Sequence, residues 1–222
     1  MIDLTAEAAE KKTVALTFDD GPNPGITDEI IDILEENGIV ATFFVVGQNI
    51  HGDNADRMRR AHSLGCEIAN HSFTHSYMDR MTEDVIRDEI KRTTELIYET
   101  VGEYPRFFRP PYIAVSQIMH DCIELPFICG INCADWESRV STEERTEFLE
   151  NKCPDGAIIL MHDFQGNQKT VDAVRAAVPV MLGKGYEFVT VTGLFERKGV
   201  TPGYGNGIIY SFASETGDIT PA

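Results

Sequence analysis

Apolar, β-branched runs alternate with amphipathic stretches along most of this chain, and that alternation restricts the fold more than any other feature. Thr13–Phe18 reads as a buried strand, Thr27–Asn37 as a helix stopped by Gly38, and Ala41–Val46 as a second strand. A helix over Asn54–Ser63, closed by Gly65, leads to a short strand at Glu67–Asn70. Thr82 is placed as the N-cap of a long helix to Val101, with Val85, Ile86, Ile90, Thr93, Ile97 and Val101 on one stripe. Phe107–Phe108 opens a fourth strand and Ser116–Glu124 is a weaker helix. Phe127–Cys133, Ala157–Met161 and Glu187–Val191 complete seven strands, separated by helices at Thr142–Asn151 and Lys169–Leu182. Strict β/α alternation demands parallel strands joined by right-handed crossovers. The expectation is an α/β, distorted (β/α)7 TIM-like barrel in one domain over residues 13–198. Residues 1–12 would be an N-terminal extension, and 199–222 a C-terminal tail, wrapping the domain or partly disordered.

Ionisable residues collect where these strands end. The first ends in Asp19-Asp20, the third in His71 with His75 beyond it, the fourth in Arg109, the fifth in Asp135-Trp136 and the sixth in His162-Asp163. Barrel active sites gather at the carboxyl ends of strands. The pair His71 and His75 is four residues apart, and on a helical turn the two would share one face about 5–6 Å apart at Cβ, within reach of one ion. Two histidines and a carboxylate form a common ligand set for catalytic zinc, and Asp19-Asp20 supplies the carboxylate. Adjacent aspartates at a strand end point in different directions, so one can bind an ion while the other stays free. Asp19-Asp20-Gly21-Pro22 also has the composition of a surface turn.

Arg109, stiffened by Pro110 and Pro111, needs a carboxylate partner if buried, and Asp19 or Asp135 could serve. Trp136, the single tryptophan, is either core or pocket wall. His162 emerges from Ile158–Met161 at a strand tip and is the candidate general acid.

Charge and cysteine content bound the rest. Lys and Arg total 19 against 36 Asp and Glu, a formal net charge of −17. That opposes nucleic-acid binding, which needs a basic face, and gives no attraction to anionic membranes. No apolar run is long enough to span a membrane. Cys66, Cys122, Cys129, Cys133 and Cys153 form no C-x-x-C pair. They predict buried apolar side chains rather than a disulfide framework or a thiolate metal site, with one bridged pair left open. Met1-Ile2-Asp3-Leu4 has no signal-peptide character, which is consistent with a cytoplasmic protein or with an export signal outside this sequence.

Five ordered motifs resemble the polysaccharide deacetylase family, carbohydrate esterase family four: Thr17-Phe18-Asp19-Asp20-Gly21-Pro22, His71-Ser72-Phe73-Thr74-His75, Arg109-Pro110-Pro111-Tyr112, Asp135-Trp136 and Leu160-Met161-His162. The resemblance runs from Thr13 to about Phe195 and implies a distorted barrel with one divalent metal, zinc or else cobalt or nickel. It implies Asp20, His71 and His75 as metal ligands and Asp19 as catalytic base, held by Arg109. His162 would be the acid, tuned by Asp135. The Tyr112 backbone N–H would stabilise the oxyanion, and Trp136 and Leu160 would line the acetyl-methyl pocket. The chain departs from the family pattern at Ile113, where Gly is usual, at Ser76, where Pro is usual, and at Cys66, where His is common.

The expected partner is a carbohydrate polymer or oligosaccharide, met outside the cell or at its surface, and a monomer is favoured. The first expectation is N-deacetylation of N-acetylglucosamine polymers such as peptidoglycan or chitin. O-deacetylation of xylan is the second, and an inactive carbohydrate-binding module on the same fold is a reading of another class.

Overall fold

The computed structural model of the chain describes residues 11–215. Most of the expected N-terminal extension, and residues 216–222 of the expected tail, lie outside the described residues. In chain order the elements are β1 (Lys12–Asp19), α1 (Ile26–Asn37), β2 (Thr42–Val45), α2 (Asp53–Ser63), β3 (Glu67–Asn70), α3 (Glu83–Val101), α4 (Gln117–Cys122), β4 (Phe127–Ile128), α5 (Thr142–Asn151), β5 (Ile158–His162), α6 (Gln168–Gly183), β6 (Tyr186–Phe188), α7 (Val191–Lys198) and β7 (Ile209–Tyr210).

The central sheet runs β3-β2-β1-β5, every pairing parallel. Single bridges close it into a ring: Asn70 to Phe108, Phe108 to Phe127, and Ile131 to Ile159. The result is an α/β barrel whose far wall is held by isolated contacts rather than full ladders. The expected strand at Phe107–Phe108 is therefore one bridging residue. The expected strand Phe127–Cys133 breaks after two residues, near Gly130. There the φ of 127° lets the backbone pass within 2.9 Å, measured from the position of a Cβ, of the Ile158 carbonyl oxygen.

Two short strands fill gaps at the amino end of the ring. β6 pairs with Lys12–Val14, while β2 takes Thr17–Asp19. β7 pairs with β4, and the next residues bond to the β5 side: Ile158 N–H to the Ser211 carbonyl and Ala213 N–H to the Gly156 carbonyl. The segment after Gly199 thus enters the barrel seam. The expected seventh strand ends earlier than predicted, because Val191 starts α7, with Thr190 as a side-chain cap.

The period of two along β1 sorts its side chains. Val14, Leu16 and Phe18 join the layer that packs against α1, α2 and α6. Ala15 joins a second cluster with Phe44, Ala69, Ile158 and the α7 residues Leu194 and Phe195. Thr17 and Asp19 continue that inner row, which carries a carboxylate into the barrel mouth. On α3 the buried stripe is Ile86, Glu89, Thr93 and Ile97, with Ile90 half-buried and Val85 exposed at 45%, contrary to expectation. All five cysteines are free, and Cys66, Cys122 and Cys153 are buried. No helix among the described residues is long and apolar enough to cross a membrane.

Candidate active site

Asp19, the last residue of β1, is 2% exposed and accepts a hydrogen bond from Arg109 Nη1 at 2.5 Å. The same Nη1 reaches Thr17 Oγ1 at 2.9 Å, and the guanidinium lies 4.0 Å from the centroid of the Phe44 ring. Of the two partners the sequence left open, Arg109 takes Asp19. It is itself fully buried, so the two charges neutralise one another where neither meets water.

The backbone then turns left-handed at Asp20, φ 77°, and Asp19 Oδ2 and Asp20 Oδ1 both face His71 Nε2, at 3.7 and 3.5 Å. The Asp20 carbonyl is pinned by the side-chain amides of Asn23 and Asn49, both at 2.9 Å. Gly21 lies against Asp163: a Cβ there would stand 2.3 Å from Asp163 Oδ2.

His71 and His75 do meet, though not on a helical turn. His71 follows β3 directly, and the chain reaches His75 through left-handed residues at Ser72 (φ 66°) and at His75 itself (φ 56°). Such conformations in non-glycine residues cost of order 1–3 kcal/mol each and persist only when surrounding bonds hold them. Glu89 of α3, 5% exposed, supplies that hold. Its carboxylate accepts from Phe73 N–H, Thr74 N–H and Thr74 Oγ1, each at 2.8 Å. Ser72 Oγ accepts the His75 N–H at 3.0 Å.

His75 Nε2 stands 3.2 Å and His71 Nε2 3.5 Å from Asp20 Oδ1. His71 Nδ1 is 2.7 Å from the Arg109 carbonyl, which can only accept, so Nδ1 carries the proton and Nε2 presents its lone pair to Asp20. Asp20 Oδ1 is buried and has no hydrogen-bond donor. Burial would raise the Asp20 carboxyl, but the neighbouring His71, with His75 and His162 beyond, holds it down at about 2. Burial, then the neighbouring His71, pushes the His75 imidazole below its usual value. Lone pairs from one anion and two imidazoles, with ligand atoms within 4.8 Å of one another, fit a divalent cation.

Across the mouth, His162 Nδ1 bonds Asp135 Oδ1 at 2.7 Å, and the His162 N–H bonds Asp135 Oδ2 at 2.9 Å. Asp135 is fully buried and also receives Thr170 Oγ1 at 2.8 Å and Asn167 Nδ2 at 3.3 Å. Burial opposes the charge on His162, yet the bond to Asp135 and the anions Asp135, Asp19 and Asp20 raise its pKa to about 9. Asp163, wholly buried, is pushed up to about 7 by burial, against the bond from Thr27.

One cavity of about 320 Å³ is lined by Asp19, Asp20, His71, His75, Tyr112, Trp136, Leu160 and His162, with Pro110, Ile113 and Asn132. Arg109 and Asp135 lie behind its wall. Trp136 is 47% exposed, edge-on to the His162 ring at 5.3 Å, and so belongs to the wall rather than the core. Tyr112 (φ 58°, ψ 10°) and Ile113 (φ 54°) form consecutive left-handed residues. The Tyr112 ring stacks on Tyr77 at 4.0 Å and meets the His75 ring edge at 4.7 Å. A second hollow, about 360 Å³ beside His62, Glu67 and Arg106, gathers no comparable constellation.

Sequence reasoning missed Glu89, Arg145, Asn167 and Thr170, and placed Asp163 at a strand tip without a role. Two of these carried a signal. Glu89 falls on the apolar stripe of α3, and Arg145 sits three and four residues before Phe148 and Leu149 on α5, so each is a charge on a buried helix face.

The model of the polysaccharide deacetylase family matches residues 6–124. The bifunctional xylanase/deacetylase of Pseudobutyrivibrio xylanivorans is 45% identical over 192 residues, covering 86% of this chain and 32% of that protein. A peptidoglycan-N-acetylglucosamine deacetylase of Listeria monocytogenes is 31% identical over 193 residues, covering 86% of this chain and 41% of that protein. The chain thus spans well under half the length of these two relatives. Among solved structures, the family 4 acetyl xylan esterase of Clostridium thermocellum, in complex with a cobalt ion, superposes with a TM-score of 0.87 at 38% identity. It covers 92% of this chain and 100% of that one. With a family model matched over more than half its length and a shared fold, the chain belongs to the polysaccharide deacetylase family, whose members are carbohydrate deacetylases and esterases.

Proposed function

We propose that the protein hydrolyses O-acetyl esters on xylan, with Asp19 as base and His162 as acid. The observation that carries the chemistry is the opposition of two differently held groups across one cavity: a carboxylate fixed by Arg109 and an imidazolium fixed by Asp135. The choice of xylan rests on similarity. The relative at 45% identity is named a xylanase/deacetylase and the solved structure at 38% an acetyl xylan esterase, against 31% for the peptidoglycan enzyme. A net charge of −17 also suits a neutral polymer better than an anionic wall.

Asp20, His71 and His75 would hold a divalent metal, zinc in our reading. Such an ion, when bound, polarises the acyl oxygen and acidifies water. Asp19 Oδ2, 3.7 Å from His71 Nε2, is turned toward that cluster and accepts the proton of the attacking water. The water oxygen adds to the acyl carbon, and the Tyr112 backbone N–H donates to the oxygen that gains charge. The ester C–O bond breaks as His162 Nε2 passes its proton to the departing sugar oxygen, leaving acetate and a free hydroxyl. Trp136 and Leu160 flank the acetyl methyl. A polymeric substrate fits a protein that works outside the cell or at its surface, as a monomer.

N-deacetylation of N-acetylglucosamine chains keeps one specific support. An imidazole held protonated up to about pH 9 suits an amine, which leaves poorly unless protonated. The test is acetate release from acetylated xylan, chitooligosaccharides and peptidoglycan, before and after chelation. Fastest release from xylan, lost on chelation, is expected. Faster release from chitooligosaccharides would shift the assignment to the amide, and no release from any of the three would end the hydrolase reading.

A further inference from the structure

One buried charge has no part in the chemistry described so far. Arg145 is 1% exposed and sits in the first turn of α5. The helix start is set by a reciprocal cap in which Ser141 Oγ accepts the Glu144 N–H and Glu144 accepts the Ser141 N–H. Among the described residues no carboxylate pairs with Arg145. Its Nη1 donates to Asn167 Oδ1 at 2.7 Å and Thr170 Oγ1 at 2.9 Å, and its Nη2 to the Glu137 carbonyl at 3.3 Å.

A guanidinium only donates, and that settles which way its neighbours point. The Thr170 hydroxyl spends a lone pair on Arg145, so its proton goes to Asp135 Oδ2. The Asn167 amide oxygen faces Arg145, so its NH2 faces Asp135 Oδ2 and the His162 carbonyl, the latter at 3.0 Å. Both groups are ambivalent on their own: a hydroxyl can rotate and an amide can flip. The cation removes that freedom. We propose that Arg145 is a positioning residue for the acid, orienting Asn167 and Thr170 so that both donate to Asp135 Oδ2 and Oδ1 stays on His162 Nδ1. The inference rests on the reading of His162 as leaving-group acid.

The charged groups facing His162 are Asp135 from the loop after β4 and Asp19 and Asp20 from the end of β1. Arg145 is the cation behind the first of these. Its removal leaves Asp135 with fewer fixed donors and a more concentrated charge toward His162, which makes the imidazolium a weaker and less well-aimed acid.

The experiment compares native protein, Arg145→Met, Thr170→Val and Thr170→Ser. It reads acetate release from acetylated xylan and from an activated aryl acetate, and the His162 ring titration by NMR in chelated protein. In Arg145→Met the His162 midpoint should move up by roughly one pH unit. Turnover on xylan should fall about tenfold or more, while the aryl acetate, which needs little protonation, is nearly spared. Thr170→Val should shift the midpoint in the same direction and Thr170→Ser should behave as native. The two threonine variants decide the matter if Arg145→Met does not fold. An unmoved midpoint, or equal losses on both substrates, would overturn the proposal. Native protein that releases no acetate removes the hydrolase reading instead, and the ring titration still reads the relay.

Discussion

Replacing Asp135 with Asn should flatten the pH dependence of stability between pH 6.5 and 9. In the folded protein His162 titrates at about 9, against 6.5 for an unperturbed imidazole. A group whose folded pKa is raised contributes stability that is complete below the unfolded value and is lost as pH rises through the folded one. Within that window the folded state holds one proton that the unfolded state has released. Stability therefore falls by about 1.4 kcal/mol per pH unit, or about 3 kcal/mol across the window. His162 is 14% exposed, so solvent screens little of this. Burial works against the charge, and the largest favourable contributions are the hydrogen bond and the charge of Asp135. Asn keeps the shape, removes the charge and turns one of the two accepting oxygens into a donor NH2. The assay is urea unfolding of chelated protein at pH 6, 7.5 and 9, since a cation beside His162 would oppose its proton. Asp163, pushed up to about 7, titrates mainly below this window and is common to both proteins, so the difference between the two curves isolates His162. Parallel curves for native and Asp135→Asn would refute the coupling.

Four further outcomes are expected. His71→Ala should lose the metal by elemental analysis, whereas Asp19→Asn should retain it and lose turnover by about a hundredfold or more; Asp19→Asn with native turnover contradicts the base assignment. His162→Ala should slow an unactivated xylan acetate more than an activated aryl acetate in initial-rate comparisons, and equal losses count against a leaving-group acid. Glu89→Gln should weaken metal binding by about tenfold in competition titrations, because it loosens the Phe73–Thr74 backbone that carries His75.

The parallel strands and the gathering of ionisable strand-end residues at one mouth were legible because they follow from local signals. Apolar runs that end in ionisable residues mark strand tips, and the pleat decides which side chain faces in: Thr17 and Asp19 inward, Leu16 and Phe18 outward. The partner of Arg109 was not legible, since choosing between Asp19 and Asp135 needs the register of strands distant in sequence. The helical turn expected for His71 and His75 was wrong for a related reason. Spacing alone cannot reveal that Glu89 holds the intervening backbone in a left-handed path. Val85 was misplaced because the expected stripe ran through Val85 and left out Glu89, whose carboxylate occupies the buried position. β7 escaped notice because two residues in a Gly-rich stretch carry no periodicity.

The placement of β7 bears on how the domain matures. The segment after β4 meets β5 at a single bridge, Ile131 to Ile159, and residues 209–213 supply the hydrogen bonds for Cys129, Ile158 and Gly156 along the rest of that seam. A ribosome that has released every cavity residue would still have produced an open shell, since the staple between the two edges follows both of them in the chain. Shortening the chain at residue 199 would preserve the whole catalytic alphabet yet leave two raw strand borders, and self-association through them, rather than loss of chemistry, would be its first defect.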